Sequence, residues 1–402
     1  MIGVNGFCLL DGGDAERRLI EASKKVDRFS ERVVMRKAQE VFPDVSFRGG
    51  QEASIALFVL GDDGRPPLVH GFSYEERRGW EGEFSLLGSE KNSLVCERDF
   101  AGTRPLYIRE GSELCIASDH RFMLGTGGRL LNPGERFPPR DGRLGAPKSR
   151  RPPGPEGLHQ AARELAALVE ESIRKRLAGR KRVAVSFSGG LDSALIAKCA
   201  SKFSEVLLCS VFSRGSRDER FASDAAEALD LEYKSEQMTR KKVEEEIAAM
   251  DLPFVPSSMD RALWCIYSTA ARMAKEKDAE LILLGQLADE LFGGYKKYSQ
   301  SLEERGSAEA SLLMANDVLA CGRVGFLRDE QACARFVEPR FPYADRSIVE
   351  FALAAPIEFK IRDGMRKLVL REAATILGLP EELAQSPKKA AQYSSGVLKL
   401  VT

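Results

Sequence analysis

The sequence predicts an α/β protein in two parts: an antiparallel, β-rich N-terminal domain and a C-terminal domain built on a doubly wound parallel sheet. Three observations predict it. Upstream of residue 132, short apolar segments are separated by Gly, Asp and Pro at hairpin-like intervals. Residues 132–157, NPGERFPPRDGRLGAPKSRRPPGPEG, are so rich in Pro and Gly that neither helix nor central strand can propagate through them. Beyond them, strand-like runs alternate with helical periodicity, the pattern of parallel strands joined by crossover helices. The domains drawn on these grounds are 1–145 and 158–402, with 146–157 as linker.

In the first part the strands are SIALFVLG, LVHGFSY, GEFSLLG, SLVCERD, PLYIRE and ELCIASD. In the second, residues 158–177 carry apolar side chains three and four apart and form a helix. A strand at 183–187, a helix at 193–200, a strand at 206–212, a helix at 222–229 and a strand at 281–284 follow. No internal repeat interrupts the series.

Composition narrows the function. A chain of 402 residues is long enough for two buried cores. Sixty basic residues balance sixty acidic ones, which speaks against a large basic footprint for nucleic acid. The basic residues between Arg136 and Arg151 read as a solvated linker. The longest apolar runs, 206–212 and 281–284, are far shorter than the roughly 18 residues of a membrane helix, so no membrane partner is expected. The start shows no leader pattern, and the expected location is cytoplasmic. Eight cysteines without a Cys-x-x-Cys pair read as reduced core thiols. Three histidines, none at ligand spacing, offer neither a zinc site nor a Ser-His-Asp hydrolase.

The chemistry begins where the strand ending in Ser186 and Phe187 runs into Ser188-Gly189-Gly190-Leu191-Asp192-Ser193 and then a helix. In an α/β fold, ligands bind outside the carboxyl ends of strands. Paired glycines let the backbone turn with its N–H groups inward, the helix N-terminus adds partial positive charge, and two serine hydroxyls can bond phosphate oxygens. Asp192 would repel phosphate unless a Mg²⁺ stood between them, so it reads as a metal ligand. This string resembles the pyrophosphate-binding loop of the ATP pyrophosphatase (PP-loop) superfamily, which implies ATP as cofactor.

A second acidic turn narrows the resemblance. The strand ELILLG ends at Gly285 and enters Gln286-Leu287-Ala288-Asp289-Glu290-Leu291-Phe292-Gly293-Gly294-Tyr295. This is similar to the Gly-Glu-Gly-Ala-Asp-Glu-Leu-Phe-Gly-Gly-Tyr signature of the asparagine synthetase family, from which Gln286 and Leu287 depart. In the first domain, Arg98-Asp99-Phe100-Ala101-Gly102-Thr103-Arg104-Pro105-Leu106-Tyr107 resembles that family's amidotransferase segment. Further on, Glu338-Pro339-Arg340-Phe341-Pro342-Tyr343-Ala344-Asp345, the segment from Lys367 to Arg371, and Pro387-Lys388-Lys389 are similar to its Glu-x-Arg-x-Pro-Phe-Leu-Asp, Lys-x-x-Leu-Arg and Arg-Pro-Lys elements.

The resemblance implies an Ntn-hydrolase-like first domain and a PP-loop synthetase domain. It also implies an ATP-dependent ligase that activates a carboxylate, aspartate by default, as an acyl-AMP and transfers it to ammonia or another amine. Ser186, Ser188, Gly189, Gly190, Leu191, Asp192, Ser193, Val211, Gly285, Asp289 and Glu290 would bind the nucleotide, with Asp192 and Asp289 on Mg²⁺. Lys388 or Lys389 would stabilise the adenylation transition state, Glu303 or Glu304 would take the amine proton, and Asp260, Glu338 and Arg340 would contact substrate or hold the walls. One departure is decisive for the first domain: Ile2 stands where the family carries its glutaminase cysteine, so glutamine hydrolysis is not expected. Closure of an intramolecular amide, as in β-lactam synthetases, and a catalytically silent nucleotide-binding protein are the alternatives. A homodimer is compatible with either.

Overall fold

The computed structural model describes residues 6–11, 14–23, 32–42, 44–45, 53–59, 68–76, 79–122, 128–138, 157–216, 218–386 and 395–401. The chain divides into two compact units, Met1–Ala146 and Pro147–Thr402.

The first unit holds strands β1 (Gly6–Asp11), β2 (Arg32–Lys37), β3 (Ser54–Val59), β4 (Leu68–Glu76), β5 (Gly79–Glu90), β6 (Ser93–Arg98), β7 (Tyr107–Arg109), β8 (Leu114–Ala117), β9 (Arg129–Leu130) and β10 (Arg136–Phe137). Helices α1 (Ala15–Ser23) and α2 (Ala38–Val41) interrupt them. One sheet runs β2-β3-β1-β8-β7-β9 and the other β10-β6-β5-β4, every pair antiparallel. Alternation along β1 sends Phe7 and Leu9 into a core shared with Ile55, Leu87, Cys96 and Ile108, so the buried layer draws on both sheets.

A buried guanidinium fixes the turn between β6 and β7. Arg98 donates to the carbonyls of Arg104 at 2.7 Å, Leu131 at 2.6 Å and Gly102 at 2.6 Å. Asp99 accepts from the backbone of Ala101, Thr103 and Arg104 and from the Thr103 hydroxyl. Gly102 has φ +70, and a Cβ there would lie 2.9 Å from Pro133 Cγ. The Arg-Asp segment singled out in the sequence is thus a device that folds its own loop.

The second unit opens with α3 (Leu158–Arg176), then β11 (Arg182–Ser186), α4 (Leu191–Ala200), β12 (Glu205–Ser213), α5 (Asp218–Leu229), β13 (Glu232–Met238), α6 (Arg240–Ala248), α7 (Ser258–Glu276) and β14 (Leu281–Leu283). Next come α8 (Ala288–Phe292), α9 (Lys296–Arg305) and α10 (Ser307–Ala320), which a π-helical turn, Cys321–Gly325, joins to α11 (Phe326–Ala334). The unit closes with β15 (Glu338–Arg340), α12 (Arg346–Ala354), the hairpin β16 (Ile361–Arg362) and β17 (Met365–Arg366), α13 (Leu368–Ile376), α14 (Glu381–Ala384) and α15 (Leu398–Val401).

Its sheet runs β13-β12-β11-β14-β15, all parallel. The chain winds outward from β11 on one side, then returns to lay β14 on the other. The crevice between the carboxyl ends of β11 and β14 is therefore the switch point of a doubly wound sheet, as the fold class predicts. Two strands of this sheet carry no strand signal in the sequence. Edge strand β13 carries Glu232, Lys234 and Glu236, charges that blunt an edge and erase the apolar signal. Edge strand β15 contains Pro339, which only an edge tolerates.

One helical stretch differs from the expectation about membranes: Ser307–Ala334 is, by length and composition, apolar enough to cross one, with a mean hydropathy of 1.3 in its best window. Its apolar residues are spread over α10, the π-turn and α11 rather than gathered in one run. All nine residues of α11 are buried within the unit, including Asp329 and Glu330.

Lys360, 3% exposed, lies between the short 3₁₀ turn at Ile357–Phe359 and β16, and burial pulls its ammonium down to about 8. A lysine that holds its proton less tightly when folded costs stability below its folded value and ceases to do so as pH rises from about 8 towards the unfolded value near 10.4. Lys360→Met is expected to raise stability at pH 7 by on the order of 2 to 3 kcal/mol, an advantage that shrinks across that window. Urea unfolding of both proteins at pH 7 and pH 10 checks it; an equal difference at the two values would exclude this origin.

Candidate active site

At the end of β11 the backbone turns through Gly189 at φ +74. A Cβ there would lie 2.9 Å from Ala222 Cα, so only glycine lets the turn press on α5. The two serines brace the turn from within: Ser188 N–H donates to Ser193 Oγ at 3.2 Å, the two hydroxyls stand 3.3 Å apart, and Gly190 N–H donates to Ser188 Oγ at 3.4 Å. Behind them, the Tyr343 hydroxyl donates to the Asp192 carbonyl at 3.0 Å and fixes the start of α4.

At the end of β14, Leu287 takes φ +79 and Gly293 φ +73, bracketing the five-residue helix α8 that carries Asp289 and Glu290. A buried leucine in the left-handed region is strained, and such residues gather at functional sites. Lys367, itself at φ +61 and 1% exposed, sends its ammonium between the two turns. Its Nζ lies 2.6 Å from both Asp192 carboxylate oxygens and 2.6 Å from Asp289 Oδ1. Gly294 makes room for this arrangement, since a Cβ there would stand 1.8 Å from Asp289 Oδ1 and 2.5 Å from Lys367 Cε. Arg366 secures the same residue by donating to the Gly294 carbonyl at 2.7 Å.

Two carboxylates therefore converge on one point large enough for a cation. With phosphate oxygens completing the shell, that is the donor set magnesium takes, and the residues fit a Mg²⁺–nucleotide complex. Among the described residues no group of three or more His, Cys, Asp or Glu is placed to hold a metal ion. Beside them, burial and then the neighbouring Asp289 charge push the Glu290 carboxyl up, and its Oε1 accepts from the Tyr295 hydroxyl at 2.9 Å.

These groups face a cleft of about 590 Å³. Of the residues named from sequence, Ser186, Ser188, Gly190, Leu191, Asp192 and Ser193 line it from β11 and α4, Val211 from β12, and Gly285, Asp289 and Glu290 from the β14 end. Gly189 backs the turn instead. Glu303 and Glu304 are exposed on α9 and do not line the cleft, so a role as base for the amine does not fit their placement: they sit on the solvent face of an amphipathic helix. Asp260 also stays outside, where it completes a capping box with Ser257 at the start of α7 and pairs with Arg328, which does line the cleft, at 2.8 Å. Glu338 and Arg340 pair with each other along β15, and Arg340 Nη1 also donates to the Arg176 carbonyl. None of the three lines the cleft. Lys388 and Lys389 lie outside the described residues, as do Met1 and Ile2.

Lys367 is the functional group the reading of single motifs passed over, although the Lys-x-x-Leu-Arg segment that contains it was visible. Its proximity to Asp192 spans 175 positions, and no local pattern encodes that. Gln286 reaches the π-turn, where its Nε2 lies 3.7 Å from Cys321 Sγ.

Fold and cleft together define a nucleotide-fold α/β protein with an acid-paired crevice at the switch point of its sheet. The family model for asparagine synthase matches residues 164–320 and 309–400, and the chain belongs to that family. It is 28% identical over 406 residues to a protein of Methanocaldococcus jannaschii named as a glutamine-hydrolysing asparagine synthetase, spanning 85% of this chain and 74% of that one. It is 26% identical over 255 residues to the asparagine synthetase of Gallus gallus, covering 60% of this chain but 44% of that one. Among solved structures, the NMN synthetase of Francisella tularensis aligns over 59% of this chain and 76% of its own at 11% identity, with a TM-score of 0.33.

Replacing Lys367 by Met leaves two carboxylates facing each other across the vacated point. The variant is expected to lose on the order of 3 kcal/mol of stability. Millimolar Mg²⁺ should raise its melting temperature by more than it raises that of the unaltered chain. Thermal unfolding with and without Mg²⁺ decides; equal Mg²⁺ shifts would show that the carboxylates do not share a cation point.

Proposed function

We propose that the chain is an ATP-dependent amide ligase, one that activates a carboxylate as an acyl-AMP with release of pyrophosphate and passes the acyl group to ammonia or another amine. Aspartate is the default acid. The observation that carries this reading is the convergence of Asp192 and Asp289 on one cation point beside the two-serine turn.

A free carboxylate is a poor acyl donor because oxide would have to leave; from an acyl-AMP the group that leaves when the amine attacks is AMP, a phosphate monoester. Ser188, Ser193 and the Gly190 N–H would hold the outgoing phosphates, and Val211 would lie along the adenine. Asp192 and Asp289 would hold Mg²⁺, which supplies neutralisation of charge building on the leaving group. Lys388 or Lys389 would add a further positive charge. Small-molecule carboxylate and amine are the expected partners, without nucleic acid, in a cytoplasmic setting.

Free ammonia rather than glutamine is the nitrogen donor in this proposal. A glutaminase nucleophile has to be an accessible thiolate, whereas all eight cysteines are buried and burial pushes the Cys8 thiol up. Incubation with Mg²⁺, ATP and aspartate should yield AMP, pyrophosphate and asparagine in equal amounts with ammonium, and no asparagine with glutamine. Asp192→Ala should lower the rate by at least about 100-fold. Failure of aspartate to evoke AMP would remove aspartate as substrate, and asparagine made from glutamine would restore a glutaminase.

A further inference from the structure

We propose that Arg371 is a ligand of the departing pyrophosphate, an inference that rests on the ligase reading above. Among the described residues, four cations line the cleft: Lys297, Arg328, Lys367 and Arg371. Three are neutralised in place. Lys297 pairs with Asp317 at 2.6 Å, Arg328 with Asp260 at 2.8 Å and Asp329 at 2.7 Å, and Lys367 with Asp192 and Asp289. Arg371 is held differently: its Nε donates to the Arg366 carbonyl at 2.9 Å and its Nη1 to the Ala384 carbonyl at 2.7 Å. It is 6% exposed, and no carboxylate among the described residues forms an ion pair with it. A guanidinium bonded only to neutral carbonyls keeps its full charge, and where it lines a cleft that charge is available to an anion.

Its place in the fold says which anion. Arg371 N–H donates to the Lys367 carbonyl at 2.9 Å, so Arg371 stands one turn into α13 from the lysine that caps it, and both residues line the cleft. Lys367 reaches Asp192 at the start of the helix that follows the two-serine turn. Ser386, two residues beyond the carbonyl that Arg371 holds, lines the same cleft. The charge of Asp192 also acts on Arg371, against the effect of burial, which depresses the guanidinium. A guanidinium has five N–H donors, and two are spent on carbonyls. The remainder form a planar fork suited to phosphate oxygens. Arg371 therefore serves two ends: it ties α14 to α13, and it offers charge to a phosphate chain held in the same cleft as the two-serine turn.

The test is binding of inorganic pyrophosphate with Mg²⁺, measured by calorimetry on the full chain, alongside binding of adenosine. Arg371→Met is expected to weaken pyrophosphate about 10- to 100-fold while adenosine affinity stays unchanged. Arg371→Lys, which keeps charge but not the fork, should recover part of the loss and serves as well if the Met variant does not fold. Pyrophosphate affinity unchanged in either folded variant, with only a lower melting temperature, would overturn the proposal and leave Arg371 as a tie between helices. Failure of the unaltered chain to bind either adenosine or pyrophosphate would instead bring down the ligase reading, and this inference with it.

Discussion

The geometry of the C-terminal unit turns on one ammonium group. Lys367 Nζ holds Asp192 and Asp289 at 2.6 Å, and so joins the turn after β11 and the turn after β14 to the start of α13, which Lys367 caps. Two like charges at the floor of a partly desolvated crevice would repel. One buried cation between them turns repulsion into the tie that sets the cleft's width. The remaining features accommodate that tie. Gly294 lacks the atom that would occupy its space, Arg366 fixes Gly294 from behind, and Tyr343 fixes the backbone of Asp192. Gly189 supplies the close approach that lets the turn after β11 lie against α5.

The first unit solves a different problem with similar means. It has to hold a long irregular connection between β6 and β7 against its sheets, and a guanidinium paired with the backbone does so at small cost in space. Arg98 binds three carbonyls, and Asp99, whose carboxyl burial pushes up, gathers four donors of the following turn. Each buried charge thus satisfies backbone groups that would otherwise be stranded.

What the sequence discloses here is whatever is local. The strand-to-helix turn at 188–193 shows itself because glycines, hydroxyls and an acid must sit within six positions, and the 286–295 turn does so for the same reason. The antiparallel and parallel halves separate on periodicity and on the Pro/Gly break. Function that depends on distant pairing is invisible by that route: Lys367 looks like any helix-start lysine until α13 is folded against α4. Glu303 and Glu304 show the converse error, since closeness in sequence to the Gly-Gly-Tyr turn does not bring them near the cleft when α9 points them to solvent. Asp260, Glu338 and Arg340 were legible as important and illegible as to role, because a cap, a wall and a ligand use the same residue types.

The separation of 175 positions between Asp192 and Lys367 also governs when the site can exist during synthesis. A growing chain that has left the ribosome only as far as β15 already possesses every strand of the parallel sheet, both serines, and both acids of the crevice. It carries that paired negative charge without its lysine until the β16–β17 hairpin and the start of α13 emerge. The crevice is thus complete only at the end of translation, once the lysine that pairs its two acids has been made.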